Sequence, residues 1–377
     1  MTAARPFSVF YMSCKGDERL SSGNIRETMK QLISDWGISG YEHGIAERLK
    51  HVLKPYTTDI QVDKVGNLIA RVPGLGPEPR PTVMLAAHMD EIGLLVTKIE
   101  PGGFLRVVNV GGVDARTQVA QEAVVHAKDG EYIGIFGTKP PHLTSPSERG
   151  KAAPLEDLFL DIGMPEDMVR SLVRIGDPVT IRRTPLELQN DRISGKSLDN
   201  RASIAAVLEC LTEMQRLKVG TDVLAVFTVQ EERGRNGAGP AAYGLQPDIA
   251  IAIDVTFGDM PGGPVDASFP LDGGPAICVG PNLHRKITAG LERTAKDLNM
   301  HYEREITQGD SGTDAYPIQI SRGSIPTGLV SIPLRYMHTS VETVCYRDIE
   351  RTGKLLAHYI AGVDRTYVEG LSCYLKN

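Results

Sequence analysis

The spacing of apolar residues changes character twice along the chain. Ile25, Met29, Leu32, Ile33 and Trp36 recur at helical spacing behind Asn24, a residue suited to an N-cap, and before Gly37, a residue suited to the turn that closes a helix. One amphipathic helix is predicted there. A second carries Ile45, Leu49, Val52 and Leu53 on one face and stops before Pro55. Strand-like runs follow at 59–72 and 82–87, the second apolar throughout, as a strand buried on both faces is, and ending in His88-Met-Asp90. From about residue 93 to 183 the pattern turns to short β runs broken by Gly and Pro, at 93–99, 104–110, 119–127, 131–137 and 178–182. After Gly195 helix and strand alternate. Ile204, Leu208, Leu211 and Met214 mark a helix, strands are predicted at 222–230, 248–254, 276–279 and 327–334, and further helices at 284–299 and 346–363.

This alternation predicts an α/β fold with a mixed, mostly parallel sheet flanked by helices, interrupted by a small β-barrel-like domain. Residues 1–92 and 184–377 form the discontinuous α/β domain in this reading, and 93–183 the β-rich insertion. Residues 1–23 show no periodicity and are expected to form a mobile arm. No internal repeat, heptad or low-complexity tract is present.

Composition narrows the function more than the fold. With 377 residues, 41% hydrophobic and 23% charged, the chain reads as a soluble globular protein of two domains. No apolar run approaches the roughly 18 residues that a membrane-crossing helix needs, and the apolar patch Phe7–Met12 is too short for a signal peptide. A cytoplasmic protein is expected. The net charge of -6 gives no electrostatic footprint for nucleic acid, and no basic helix offers itself to a membrane surface. Cys14, Cys210, Cys278, Cys345 and Cys373 are widely spaced and form no C-x-x-C pair, against both a disulfide framework and a thiolate zinc site. Small or peptidic substrates remain.

The candidate chemistry sits where buried strands stop. Glu231 and Glu232 end the run from Asp222 to Gln230, and Asp254 closes Ile249-Ala-Ile-Ala-Ile. His88 ends a strand with Asp90 two positions on, a spacing that lets a carboxylate receive the second N–H of a metal-bound imidazole. Asp199 precedes a helix in Ser197-Leu-Asp199-Asn-Arg201, and His338 lies just past the strand that ends near Leu334. Each residue alone has an ordinary explanation as a cap, a core histidine or a solvated acid. Together, His88, Asp199, Glu232, Asp254 and His338 are five ligands of the kinds zinc takes, enough for two ions with three bonds each if one carboxylate bridges. Glu231 is left over and suits a general base. The four carboxylates Asp199, Glu231, Glu232 and Asp254 also balance the charge of two divalent ions.

The chain resembles the tetrahedral and glutamyl aminopeptidases, dinuclear metallopeptidases of the clan that includes bacterial leucine aminopeptidases. The resemblance runs from about residue 25 to 365 through an ordered set of motifs: Ser39-Gly-Tyr-Glu42, Val65-Gly-Asn-Leu68, Ala87-His-Met-Asp-Glu-Ile-Gly93, Gly137-Thr-Lys-Pro-Pro-His-Leu143, Leu158-Phe-Leu-Asp-Ile-Gly163, Gly195-Lys-Ser-Leu-Asp-Asn-Arg201, Thr228-Val-Gln-Glu-Glu232, Ile253-Asp-Val-Thr256, Gly312-Thr-Asp-Ala315 and Arg335-Tyr-Met-His338. It implies that His88, Asp199 and Asp254 hold one metal ion and Asp199, Glu232 and His338 the other, both zinc or alternatively cobalt. Asp90 would then support His88, and Glu231 would be the base that releases the N-terminal residue of short peptides. It also implies that 93–183 is a dimerisation domain and that dimers assemble into a tetrahedral dodecamer. Arg233-Gly-Arg-Asn-Gly237 departs from the family, which has an apolar residue and then a Gly-Leu-Arg-Gly-like sequence.

Rival readings fare worse. A glycoside hydrolase, the label some relatives have carried, sets two carboxyls across a sugar and needs no strand-end histidines. Gly234, Gly237 and Gly239 include no G-x-x-x-x-G-K-[ST] phosphate loop. A metal-binding scaffold without peptidase activity is disfavoured by the complete ligand set.

Overall fold

The computed structural model describes residues 24–145 and 151–371. The predicted arm at 1–23, with Cys14, and Cys373 near the other end lie outside the described residues. An eight-stranded sheet runs through the α/β part, its strands beginning in order at Ile60, Leu68, Asp222, Thr82, Ile249, Thr327, Ala276 and Glu303. The four central strands, Asp222–Thr228, Thr82–His88, Ile249–Phe257 and Thr327–Leu334, are mutually parallel. Antiparallel partners flank them, so the sheet is mixed with a parallel centre.

The parallel centre explains both the sequence pattern and the place of the chemistry. Its strands are buried on both faces, and their carboxyl ends open on one edge of the sheet, where ligands bind in open α/β folds. Pairing between Thr82–His88 and Ile249–Phe257 stops at the Ala86–Ala252 pair although both strands continue. The two strands part there, and His88 and Asp254 lie beyond the split. Helices cover the faces. Leu198–Met214 is buried along most of its length and packs chiefly on Tyr346–Ala361, while Arg285–Asp297 buries Ile287, Leu291 and Ala295 beside them.

The insertion closes on itself as a six-stranded antiparallel barrel between Gly93 and Ile181, around Leu94, Val96, Leu105, Val125, Phe136, Leu160 and Val179. Its strand Phe159–Asp161 and the helix Glu166–Leu172 were not legible in the apolar pattern, the first because three residues carry no period and the second because only Val169 is buried. A three-stranded sheet of Leu186–Leu188, Arg192–Gly195 and Glu342–Cys345 was also missed, and it sets Gly195 opposite Glu342.

Asn24 caps the first helix as expected, its side chain accepting from the Arg26 and Glu27 amides. Gly37 does not close that helix. The helix ends at Ser34, Asp35 is extended, and Trp36 leaves to stack on the His126 ring of the barrel, with ring centroids 3.8 Å apart. Gly37 instead donates its amide to Glu91 Oε1 at 3.0 Å. The single apolar run of 59–72 is two strands, Ile60–Val62 and Leu68–Val72, joined by a turn in which Asp63 accepts from the Val65, Gly66 and Asn67 amides.

Candidate metal centre and active site

Five of the predicted residues meet beside the carboxyl edge of the sheet. His88 Nε2 lies 3.1 Å from Asp199 Oδ1 and 3.8 Å from Asp254 Oδ1. His338 Nε2 lies 3.4 Å from Asp199 Oδ2 and 3.2 Å from Glu232 Oε1. The Asp199 carboxylate therefore divides: one oxygen faces His88 and Asp254, the other faces His338. Donor atoms of His88, Asp199 and Glu232 all lie within 4.8 Å of one another.

Local backbone geometry makes this convergence possible. Asp199 and Asn200 have non-helical torsions, so Asp199 sits in an irregular segment at the start of Leu198–Met214 and is not an ordinary cap. The Asn200 side chain ties this segment to the Ile253 carbonyl at 3.0 Å, next to Asp254. His338 has φ 60°, a left-handed conformation uncommon for a residue with a side chain. The Glu231-Glu232 pair is presented by a turn that begins earlier than Gly234. The strand stops at Thr228, Gln230 has φ 57°, and the Gly234 and Arg235 amides then close on the Glu231 carbonyl at 3.1 and 2.9 Å. Adjacent acids thus serve one cleft because the chain turns on both sides of them.

Asp90 is the anchor of that turn. Its two oxygens accept from the Glu231 and Glu232 amides, both at 3.0 Å, and Ser39 Oγ donates to it as well. Asp90 Oδ1 stands 3.5 Å from His88 Nδ1, whereas the Asp90 carbonyl accepts from that nitrogen at 3.0 Å. Asp90 thus faces the imidazole with both its carbonyl and its carboxylate, although the strand itself ends at His88.

Several residues of the site were not assigned a role from sequence. Glu42 Oε1 accepts from Gly40 at 2.8 Å and Gln230 at 3.0 Å, bracing the turn before the Glu pair. Asp314 is buried and accepts from Thr228 Oγ1 at 2.5 Å. Glu342, also buried, accepts from the Asp199 amide at 3.0 Å and the His338 amide at 2.8 Å. Ser39, Glu42 and Asp314 fall inside the quoted motifs; Glu342 falls outside them, near His338 in the chain, and the fold brings it to Asp199. Arg233 is exposed at the rim, and Arg235 pairs with Asp310 at 2.9 Å, linking the Glu turn to the loop that carries Asp314. Beside Asp199, Glu232 and His338 a cleft opens against the barrel residues Leu94, Val113 and Ile181.

The electrostatics are those of a cluster short of positive charge. Burial, then the carboxylates of Asp254, Asp314 and Glu232, push Glu231 up to about 10 despite the opposing pull of His88. Burial and Asp199 raise Glu232 and Asp254 in the same way. Burial opposes charge on His338, but its bonds to Asp199 and Glu232 win and raise it to about 11. Asp199 is held low, against burial, by His338 and His88. Glu231 Oε1 is buried without a hydrogen-bond partner. Two imidazoles and three carboxylates that converge with their own charges unbalanced are a fitting donor set for hard or borderline cations.

Residues 66–355 match the family described as M42 glutamyl aminopeptidase. This chain belongs to the M42 aminopeptidase family. The M42 chain is 35% identical over 333 residues to a lysyl aminopeptidase of Pyrococcus furiosus, covering 87% of this chain and 94% of that one. Its fold matches an aminopeptidase from the archaeon Desulfurococcus kamchatkensis with a TM-score of 0.86 and 33% identity, over 94% of this chain and 99% of that one. It also matches the Pyrococcus horikoshii TET1 peptidase, which can assemble into a tetrahedron or a large octahedral shell, with a TM-score of 0.79 and 31% identity over 90% and 100% of the two chains. As an M42 aminopeptidase the chain is a metal-dependent hydrolase acting on peptides, which sets the glycosidase reading aside.

Cation binding to this cluster must expel the proton of His338, which its bonds to Asp199 and Glu232 raise to about 11 in the metal-free protein. Affinity for Zn²⁺ is therefore expected to rise steadily from pH 6 to pH 8 in competition titrations against a chelator of known pH dependence. A dissociation constant that does not change over that range would contradict the assignment.

Proposed function

We propose that the chain is a dinuclear aminopeptidase that removes the N-terminal residue of short peptides. The observation that carries this reading is the divided carboxylate of Asp199, whose two oxygens face two different sets of donors. His88, Asp199 and Asp254 would hold one divalent ion and Asp199, Glu232 and His338 the second, with zinc favoured by the histidine and carboxylate donors and cobalt suited to them as well. When bound, the two ions would supply Lewis acidity toward the peptide carbonyl and make a water molecule acidic enough to attack near neutral pH.

Glu231 is the proton carrier. Its unpartnered buried oxygen leaves it free to take a proton from the attacking water and return it to the leaving amine. Positive charge in the cleft would oppose the burial and the neighbouring carboxylates that raise its pKa, and so favour its ionised form. Asp90 keeps Glu231 and Glu232 in their separate tasks by holding both amides, so one acid of the pair binds and the other moves protons.

We place the catalytic unit in 1–92 and 184–377 and assign the insertion at 93–183 to dimerisation. The barrel supports this with outward apolar residues, Ile135 at 55% and Val108 at 44% exposure. Assembly of dimers into a tetrahedral dodecamer follows from similarity to the P. horikoshii peptidase. Cys210, Cys278 and Cys345 are buried free thiols, in keeping with a cytoplasmic setting, and no helix among the described residues is long and apolar enough to cross a membrane.

Glu231→Gln is expected to retain both ions by elemental analysis while turnover of amino-acid p-nitroanilides falls about 10²- to 10⁴-fold; unchanged turnover would remove Glu231 from the mechanism. Ile135→Asp is expected to lower the solution mass measured by light scattering, and an unaltered mass would exclude that barrel face from the interface.

A further inference from the structure

Asp199 and His338 reach the cleft from segments far apart in sequence, and neither stands in regular secondary structure. Asp199 has φ -78° and ψ 102° at an irregular helix start, and His338 has φ 60°. Their amides consequently have no ladder or helix to fix them. Both are taken by one side chain. Glu342 Oε2 accepts from the Asp199 amide at 3.0 Å and Oε1 from the His338 amide at 2.8 Å. The carboxylate is 2% exposed and rests on the strand Glu342–Cys345, which pairs with Arg192–Gly195 and so with the chain leading into Asp199. Its own backbone is held in a ladder where those of Asp199 and His338 are not.

We infer that Glu342 is a positioning residue that sets the spacing between Asp199 and His338, and with it the affinity of the cation these two share. The inference rests on the dinuclear reading of the site. Both oxygens of Glu342 are engaged by amides of residues at the site, so the role assigned to it is placement of those residues. A buried acid that straddles the amides of two site residues repeats what Asp90 does for Glu231 and Glu232. Outer partners of this kind typically change metal affinity by 10- to 100-fold when replaced.

The test needs a buried acid with the same bonding but no link to the site, and Asp348 provides one. It is fully buried and accepts from the Asp272 and Gly274 amides at 2.6 and 2.8 Å. Metal-free wild type, Glu342→Gln, Glu342→Asp and Asp348→Asn would each be titrated with Zn²⁺ against a chromophoric chelator, with thermal unfolding of the metal-free forms recorded alongside. Gln keeps the length but turns an amide donor toward one of the two N–H groups; Asp keeps the charge but is too short to span both. Both Glu342 variants are expected to lose 10- to 100-fold in affinity for one of the two ions, and Asp348→Asn to bind as wild type does even if it melts earlier.

Wild-type affinity in Glu342→Gln overturns the inference, as does an equal loss in Asp348→Asn. Wild-type affinity in Glu342→Asp overturns it too, because the carboxylate's charge and not its reach would then matter, and this variant decides the question if Glu342→Gln does not fold. A wild-type chain that takes up no second ion would instead defeat the dinuclear reading beneath it.

Discussion

Burying several carboxylates in one cleft sets the terms for the rest of this molecule. Asp199, Glu231, Glu232, Asp254 and Asp314 lie close enough for their charges to act on one another, and in the metal-free protein burial and these neighbours raise the pKa values of Glu231, Glu232 and Asp254 while the carboxylates raise that of His338. A cluster of that kind is stable in its ionised form only with cations among the acids. In the proposed reading, the same charge imbalance that makes the site costly without positive charge makes it a cation trap and leaves one acid, Glu231, to exchange a proton.

The fold answers this demand with geometry. Parallel strands deliver His88, the Glu pair, Asp254 and His338 to one edge of the sheet, and the parting of Thr82–His88 from Ile249–Phe257 makes room between them. Strand ends alone do not aim the side chains, because each proposed ligand except His88 and Asp254 lies in an irregular turn. Two buried acids aim them. Asp90 and Glu342 spend their oxygens on backbone amides of the residues that line the cleft, which converts loops into fixed supports. The barrel contributes a wall of the adjoining cleft through Leu94, Val113 and Ile181, so the insertion shapes the site as well as offering an outer apolar face.

Much of this was legible in the sequence, and what was missed has a common cause. Apolar period located the buried strands because burial on both faces removes alternation, as at Thr82–His88, and the acids at their ends stood out against that background. The ordered motifs identified the family. Short edge elements such as Glu303–Ile306 and Leu186–Leu188 were lost because three or four half-exposed residues define no period. Trp36 sat at helical spacing yet left the helix for His126, a tertiary contact that overrides local pattern. Glu342 was invisible for a similar reason: its role depends on a pairing between Arg192–Gly195 and Glu342–Cys345 across a long sequence separation. Asp90 was read from sequence only as a partner of His88; its carboxylate does face that ring, and the two amides of the Glu pair that it also accepts come from a segment the local spacing does not show.

The central claim is that Asp199 is shared by two cations, and a crystal structure of the zinc-loaded protein with anomalous scattering measured at the zinc edge addresses it most directly. The account predicts two anomalous peaks per chain, one on each side of the Asp199 carboxylate, with His88 and Asp254 at the first and Glu232 and His338 at the second. A single peak, or two peaks with Asp199 bound to only one of them, would contradict it.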